Sequence, residues 1–195
     1  MASDPYSRPD PALYPGGSAE GVASSAISLS AIIVGTVGAI ALTLTLGVLG
    51  SAFGLASVSA WPGVGAGAKT FTIGAGVWLI ITQWASSALG GYMAGRLRTR
   101  WQGLHTNEVF FRDTAHGFAT WALATVVVAL VAVAATAFAS LGGPGVDTPT
   151  SAEAVEAARK TAATFAAFTG ISLVIGAFIG SVSGAIGGRL RDLHP

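Results

Sequence analysis

Four long stretches of this chain carry no charged side chain: Gly21 to Ala68, Thr70 to Gly95, Gly117 to Val146 and Thr161 to Gly188. A helix needs roughly 20 apolar residues to cross the hydrocarbon core of a bilayer, and every stretch reaches that length. The expected fold class is all-α: a polytopic membrane protein with four transmembrane helices, arranged as two duplicated hairpins. Only 10% of the residues are charged, where a soluble domain has about a quarter, so composition points to lipid as well.

A formal net charge of +1 gives no electrostatic basis for binding nucleic acid. The absence of cysteine excludes disulfides, thiolate metal ligands and a cysteine nucleophile. Val58-Ser59-Ala60 has the small-residue pattern of a signal-peptide cleavage site. The apolar run before it, Ala26 to Phe53, far exceeds the roughly 7–15 residues of a signal core, and its leader holds one basic residue, Arg8. An uncleaved first helix is expected.

Residues 1–22, rich in Pro, Ser, Asp and Gly, read as a disordered tail, and residues 23–195 as one four-helix transmembrane domain. Helix one is expected over about Ser24–Ser51 and helix two over about Thr70–Arg98, separated by the helix-opposing run "WPGVGAGAK". After an arginine-rich central loop, helix three is expected over about Ala115–Leu141, with Asp113 or Thr114 starting it. Thr150 followed by Glu153 forms a capping box for helix four. The first turns of that helix, "SAEAVEAARK", are too charged for hydrocarbon, so the membrane entry is expected near Thr161.

Orientation follows from the loop cations. Arg8, Arg96, Arg98, Arg100, Arg112, Arg189 and Arg191 lie in the tail, the central loop and the C-terminus, against Lys69, Arg159 and Lys160 in the two opposite loops. Both termini and the central loop are therefore expected in the cytoplasm.

The endings of helices two and four repeat. A shift of 93 residues lays Gly91, Gly95-Arg96-Leu97-Arg98 on Gly184, Gly188-Arg189-Leu190-Arg191. Continued without a gap, it places Ala31, Ala39, Ala41, Thr43 and Gly50 on Ala124, Ala132, Ala134, Thr136 and Gly143. This suggests a duplicated hairpin, about 24–98 and 115–191, with both copies in one orientation.

Ser172, Gly176, Gly180, Gly184 and Gly188 recur every four residues and line one slowly turning helix face; Ser87, Gly91 and Gly95 repeat the pattern on helix two. Such faces allow close backbone approach, either within the bundle or to another helix. In the central loop, Trp101, Phe110 and Phe111 interleaved with Arg96, Arg98, Arg100 and Arg112 suit a segment at anionic headgroups, with Arg189 and Arg191 as further anchors. His105, Glu108, Asp113 and His116 are weak candidates for a metal site, and interfacial ion pairs and caps are the simpler reading. Gln83, Trp84, Ser86 and Ser87 form a polar cluster inside a span, suited to interhelical hydrogen bonds or to a small cavity.

No Asp, Glu, Lys or Arg lies within a charge-free span, which argues against proton relays, voltage sensors and ion-coupled carriers. No phosphate-cradling loop or nucleophile with a base is evident, and no catalysis and no cofactor are expected. The segments "SLSAIIVGTVGAIAL", "WASSALGGYMAGRLR" and "HGFATWALAT" together resemble a family of small, uncharacterised four-helix bacterial inner-membrane proteins. The resemblance rests on Gly90, Gly91, Ala94, Gly95 and Arg96 ending helix two, and on His116, Gly117 and Trp121 opening helix three. It departs at Leu29, where that family leads one to expect tryptophan. It implies a bacterial inner-membrane location and brings no activity. Membrane lipids, and either another membrane protein or a second copy of the chain, are the expected partners. The expected role is an accessory or scaffolding subunit that binds other membrane helices through its Gly/Ser-x-x-x-Gly faces; the alternatives are a homo-oligomeric channel or facilitator for a small solute, and a metal- or pH-responsive protein acting through the central loop.

Overall fold

The computed structural model describes residues 26–59, 63–101, 105–142 and 151–193. Four helices account for nearly all of them: α1 (Leu29–Ser57), α2 (Ala68–Leu97), α3 (Thr106–Gly142) and α4 (Ala152–Leu193). Each is long and apolar enough to cross a membrane, and no strand occurs among the described residues. The tail through residue 22, Trp61, Pro62 and Thr150 lie outside the described residues.

Helix starts differ from the sequence expectation in instructive ways. The α3 helix begins at Thr106, well before Asp113 or Thr114, so much of the expected central loop is helix. Glu108 in its first turn complements the positive end of the helix dipole. At α4 the capping oxygen is Ser151 Oγ, which accepts the Ala154 backbone N–H at 3.1 Å. Ala152–Lys160 continues into the rest of α4 as one 42-residue helix. The first connection turns at Gly63 (φ +75°) and Gly65 (φ +89°), where a side chain is disfavoured. A Cβ on Gly65 would also come within 2.9 Å of the Ser57 carbonyl oxygen.

The end of the bundle where α1 and α3 start and α2 and α4 finish is the arginine end; the opposite end is the far end. Helix α4 packs against both α2 and α3, and α1 packs against the same two helices, without touching α4 among the described residues. Small residues make these contacts possible. A Cβ on Gly91 or on Gly117 would overlap the carbonyl oxygen of Gly180, and one on Gly95 would overlap that of Gly184. On the other side, a Cβ on Gly35 would stand 2.5 Å from the Gly90 carbonyl oxygen and 3.0 Å from Thr120 Cγ2. The buried apolar side chains are correspondingly small: Ala31, Ala39, Ala94 and Ala185 dominate, with Ile32. Without a hydrophobic drive between helices in lipid, such close backbone packing and interhelical hydrogen bonds hold the bundle together.

The shift of 93 residues is displaced by four along the contact of α2 with α4, where the facing glycines are 89 residues apart. These two helices run in parallel, with Gly91 and Gly95 of one level with Gly180 and Gly184 of the other. It fails for α1 and α3. In the second hairpin Gly117 and Trp121 lie against Gly180, whose counterpart in α2 is Ser87, and the same shift would put Ser24 and Ser28 there. Instead Thr43 reaches that level of α2, its hydroxyl donating to Ser86 Oγ at 2.9 Å. The two hairpins therefore pair in different registers, and the gapless overlay of Ala31 on Ala124 and of its companions does not describe the packing. Matching alanines carry too little shape to fix a register.

Candidate functional site

Two regions gather polar side chains. At the arginine end, Arg98 follows the last residue of α2 with extended backbone (ψ 157°), which turns its side chain back across the bundle. It is only 2% exposed. Its Nε donates to Asp113 Oδ1, its Nη2 to Asp113 Oδ2 at 2.7 Å and to Asp192 Oδ2 at 3.2 Å. This paired, two-pronged geometry is the strong form of the arginine–carboxylate contact. Burial opposes the charge on Arg98, yet hydrogen bonding and attraction from Asp113, then Asp192, outweigh it and hold the guanidinium above its ordinary pKa. Arg191, the repeat counterpart of Arg98, donates from Nη1 to the Arg98 carbonyl at 2.5 Å and from Nη2 to Asp192 at 2.7 Å. Arg100 donates to the Asp192 carbonyl at 2.8 Å.

Trp101 closes the cluster. It is 7% exposed, with the Arg98 guanidinium 4.1 Å from its ring centroid, that of Arg112 at 5.3 Å, and the His116 ring at 5.4 Å. Arg98 and Trp101, expected as headgroup anchors, are thus interior groups tying α2 to α3 and α4. The physical reason is Asp113: one turn of helix in front of His116, it offers a buried carboxylate that lipid phosphates would otherwise have to supply. Phe110 and Phe111 are exposed on the first turns of α3, as a headgroup-facing segment requires, and Arg189 is exposed on the last turns of α4. Arg96 is half-buried, and its Nη1 has no hydrogen-bond partner among the described residues.

The four weak metal candidates do not assemble. Asp113 is taken by Arg98, and Glu108 accepts from Arg112 at 2.7 Å. His116 uses both ring nitrogens: Nε2 accepts the Ser28 backbone N–H at 2.8 Å, and Nδ1 lies 2.6 Å from the Arg112 carbonyl oxygen. That pair of contacts fits a neutral imidazole with its proton on Nδ1. The Ser28 bond satisfies one of the orphan donors at the start of α1, where the Ser28 side chain makes no cap. His105 is exposed just ahead of α3. Among the described residues no group of three or more His, Asp or Glu stands close enough to hold a metal ion.

Asp192 was not singled out by sequence reasoning. Its signal was an acid directly after the second Gly-Arg-Leu-Arg ending, where an otherwise cationic end had no need of one.

The second region lies midway along the spans, where the packed part of the bundle opens. Thr43, Gln83, Ser86, Ser87, Thr120 and Trp121 line a cavity of about 240 Å³ together with Ala and Val side chains of α3. None of its lining residues is charged. A smaller cavity of about 130 Å³ shares Gln83 and adds Ser172. The expected small-residue face of α4 leads into this region: Ser172, Gly176, Gly180, Gly184 and Gly188 are all buried, as are Ser87, Gly91 and Gly95 on α2. Of the two uses open to those faces, packing inside the bundle is the one realised; they present no free surface to another protein. The residues carrying the family resemblance converge here too: Gly90 meets Ala39 of α1, Gly91 and Gly117 meet Gly180, and Trp121 Cβ lies 3.1 Å from where a Cβ of Gly180 would stand.

No family model matches this sequence, and comparison with curated proteins and with solved structures returns no match either.

Proposed function

We propose that this chain is a non-catalytic integral membrane protein that works as an accessory or scaffolding subunit, holding another membrane helix against its far half. The observation that carries this reading is a contrast among glycines. Toward the arginine end every helical glycine lies against a neighbouring helix, whereas Gly47, Gly74, Gly76 and Gly170, toward the far end, have nothing within 4 Å of where a Cβ would be. Between Val126 and Phe138 all of α3 but Val127 is exposed, and from Ala152 to Ile171 of α4 only Glu156 and Phe165 are even half-buried. Beyond the charged first turns of α4, these far halves are apolar and rich in small residues, which is the surface that membrane helices use to associate.

With the arginine end in the cytoplasm, as the distribution of Lys and Arg implies, the open half faces the outer side of the membrane. The resemblance in α2 and α3 points to a bacterial inner membrane. A homo-oligomeric facilitator for a small solute is the second reading, favoured by the charge-free polar cavity where the helices part.

Native mass spectrometry after gentle extraction from the protein's own membrane separates the two. A fixed stoichiometry with a different membrane protein is the expected result. A closed oligomer of this chain alone would favour the facilitator, and a bare monomer would remove both.

A further inference from the structure

The mid-span cavity contains more hydrogen-bonding capacity than the protein uses. Thr120 is fully buried and Ser172 is 6% exposed, and neither hydroxyl has a partner among the described residues. The buried indole Nε1 of Trp121 is equally without one. A buried polar group left unpaired costs about 1–3 kcal/mol, and native proteins tolerate few of them. Thr120 and Trp121 line the larger cavity and Ser172 the smaller one, so the larger cavity holds two buried polar groups open to a partner.

Trp121 and two further polar side chains of the cavity lining meet α4 at Gly176. A Cβ there would stand 3.0 Å from Ser87 Oγ, 3.1 Å from Gln83 Nε2 and 3.2 Å from Trp121 Nε1. That is closer than an ordinary Cβ contact, so the three polar groups are packed directly against the Gly176 backbone and hold their places at the edge of the cavity. Ser87 already spends its proton on the Gln83 backbone carbonyl, at 2.7 Å, which leaves its oxygen to accept. Trp121 can only donate, and the Gln83 amide can do both. A guest in the cavity of about 240 Å³ would be offered the donors of Trp121, Gln83 and Thr120, with few acceptors beside the Ser87 oxygen.

We propose that the cavity bounded by Gln83, Ser86, Ser87, Thr120 and Trp121 is a binding site for a small uncharged solute rich in oxygen acceptors, of the size of glycerol or urea. The lack of any charged lining residue excludes ions as the favoured guest, because a charge brought here would lose its hydration without a counter-ion. Size sets the upper bound: about 240 Å³ corresponds to about eight waters at roughly 30 Å³ each. The site lies within one chain, so it depends on neither the accessory nor the oligomeric reading.

Saturation-transfer NMR on the full chain in lipid nanodiscs tests it, with glycerol and urea as neutral probes and acetate and ethylammonium as charged ones. Saturable transfer to a neutral probe is expected, and none to the charged pair. Trp121→Phe and Gln83→Leu remove donors while keeping bulk, and each should weaken binding by about fivefold or more, the loss of roughly one hydrogen bond. Gly176→Val would push Ser87, Gln83 and Trp121 out of place and should abolish binding; should it fail to fold, the two polar variants decide. Absence of saturable transfer, equal transfer to charged probes, or binding unchanged in both polar variants would overturn the proposal. So would lipid acyl signals that stay in contact with the Trp121 ring at saturating probe, since the cavity would then be a lipid seat.

Discussion

The arginine end and the far end of this bundle are built from the same residue types and behave in opposite ways. Both are rich in Gly, Ala and Ser. At the arginine end the glycines of α2, α3 and α4 fall at one level, so that three backbones meet around Gly180 and Gly184. Toward the far end Gly47, Gly74, Gly76 and Gly170 face open space, although α1 and α2 stay joined there, with Gly50 against Trp78, Gly54 against Phe71, and Trp78 Nε1 donating to the Leu46 carbonyl at 2.8 Å. Small residues alone therefore do not close a membrane bundle. What differs is register, together with the polar lock of Arg98, Asp113 and Asp192, which fixes α2, α3 and α4 at one height.

Substitutions can break that contrast in order of expected size. Gly184→Leu should be the most severe, because a Cβ would stand 2.5 Å from the Asp113 carbonyl and backbone cannot retreat as a side chain can. The loss should exceed the roughly 1–3 kcal/mol of ordinary overpacking. Gly170→Leu, the far-end counterpart on the same helix, should change stability by less than about 0.5 kcal/mol. Thermal unfolding in detergent compares the two directly; equal losses would refute the contrast.

Asp113→Ala should come next, costing about 3–5 kcal/mol because it strands a buried guanidinium. Adding Arg98→Met to it should restore much of the loss, whereas independent roles would make the two losses add. His116→Ala removes the acceptor for the Ser28 amide and should cost about 1–3 kcal/mol, with hydrogen exchange rising first at the start of α1. Smallest among the losses is Ser151→Ala, which takes the cap from α4 at the far end and should cost about 0.5–2 kcal/mol, read as fraying of Ala152–Lys160.

The spans were legible because lipid leaves a coarse signature: an unbroken run without charge can be counted directly. The glycine faces were legible too, since a spacing of four needs no tertiary knowledge. Their partners were not. Whether Gly91 meets a second chain or Gly180 of its own depends on register, and alanine-rich helices encode register weakly. Arg98 and Trp101 were misread because an arginine beside aromatics looks the same at a headgroup surface as in an ion-paired interior. Only the approach of Asp113 and Asp192, from two other helices, distinguishes the cases. The start of α3 at Thr106 was missed because "TNEVFFRDTA" is too polar for a span, and the eye stops a membrane helix where the hydrocarbon ends.

On the proposed function, the far half is where this protein meets another helix. Site-specific photocrosslinking in native membranes tests it with two probes on α3, one at Leu130 in the far half and one at Phe118 near the arginine end. Both positions are exposed, at 64% and 50%. A protein adduct of one defined mass from Leu130, with none from Phe118, is the expected result. Adducts from both positions alike, or lipid adducts alone from both, would contradict the account.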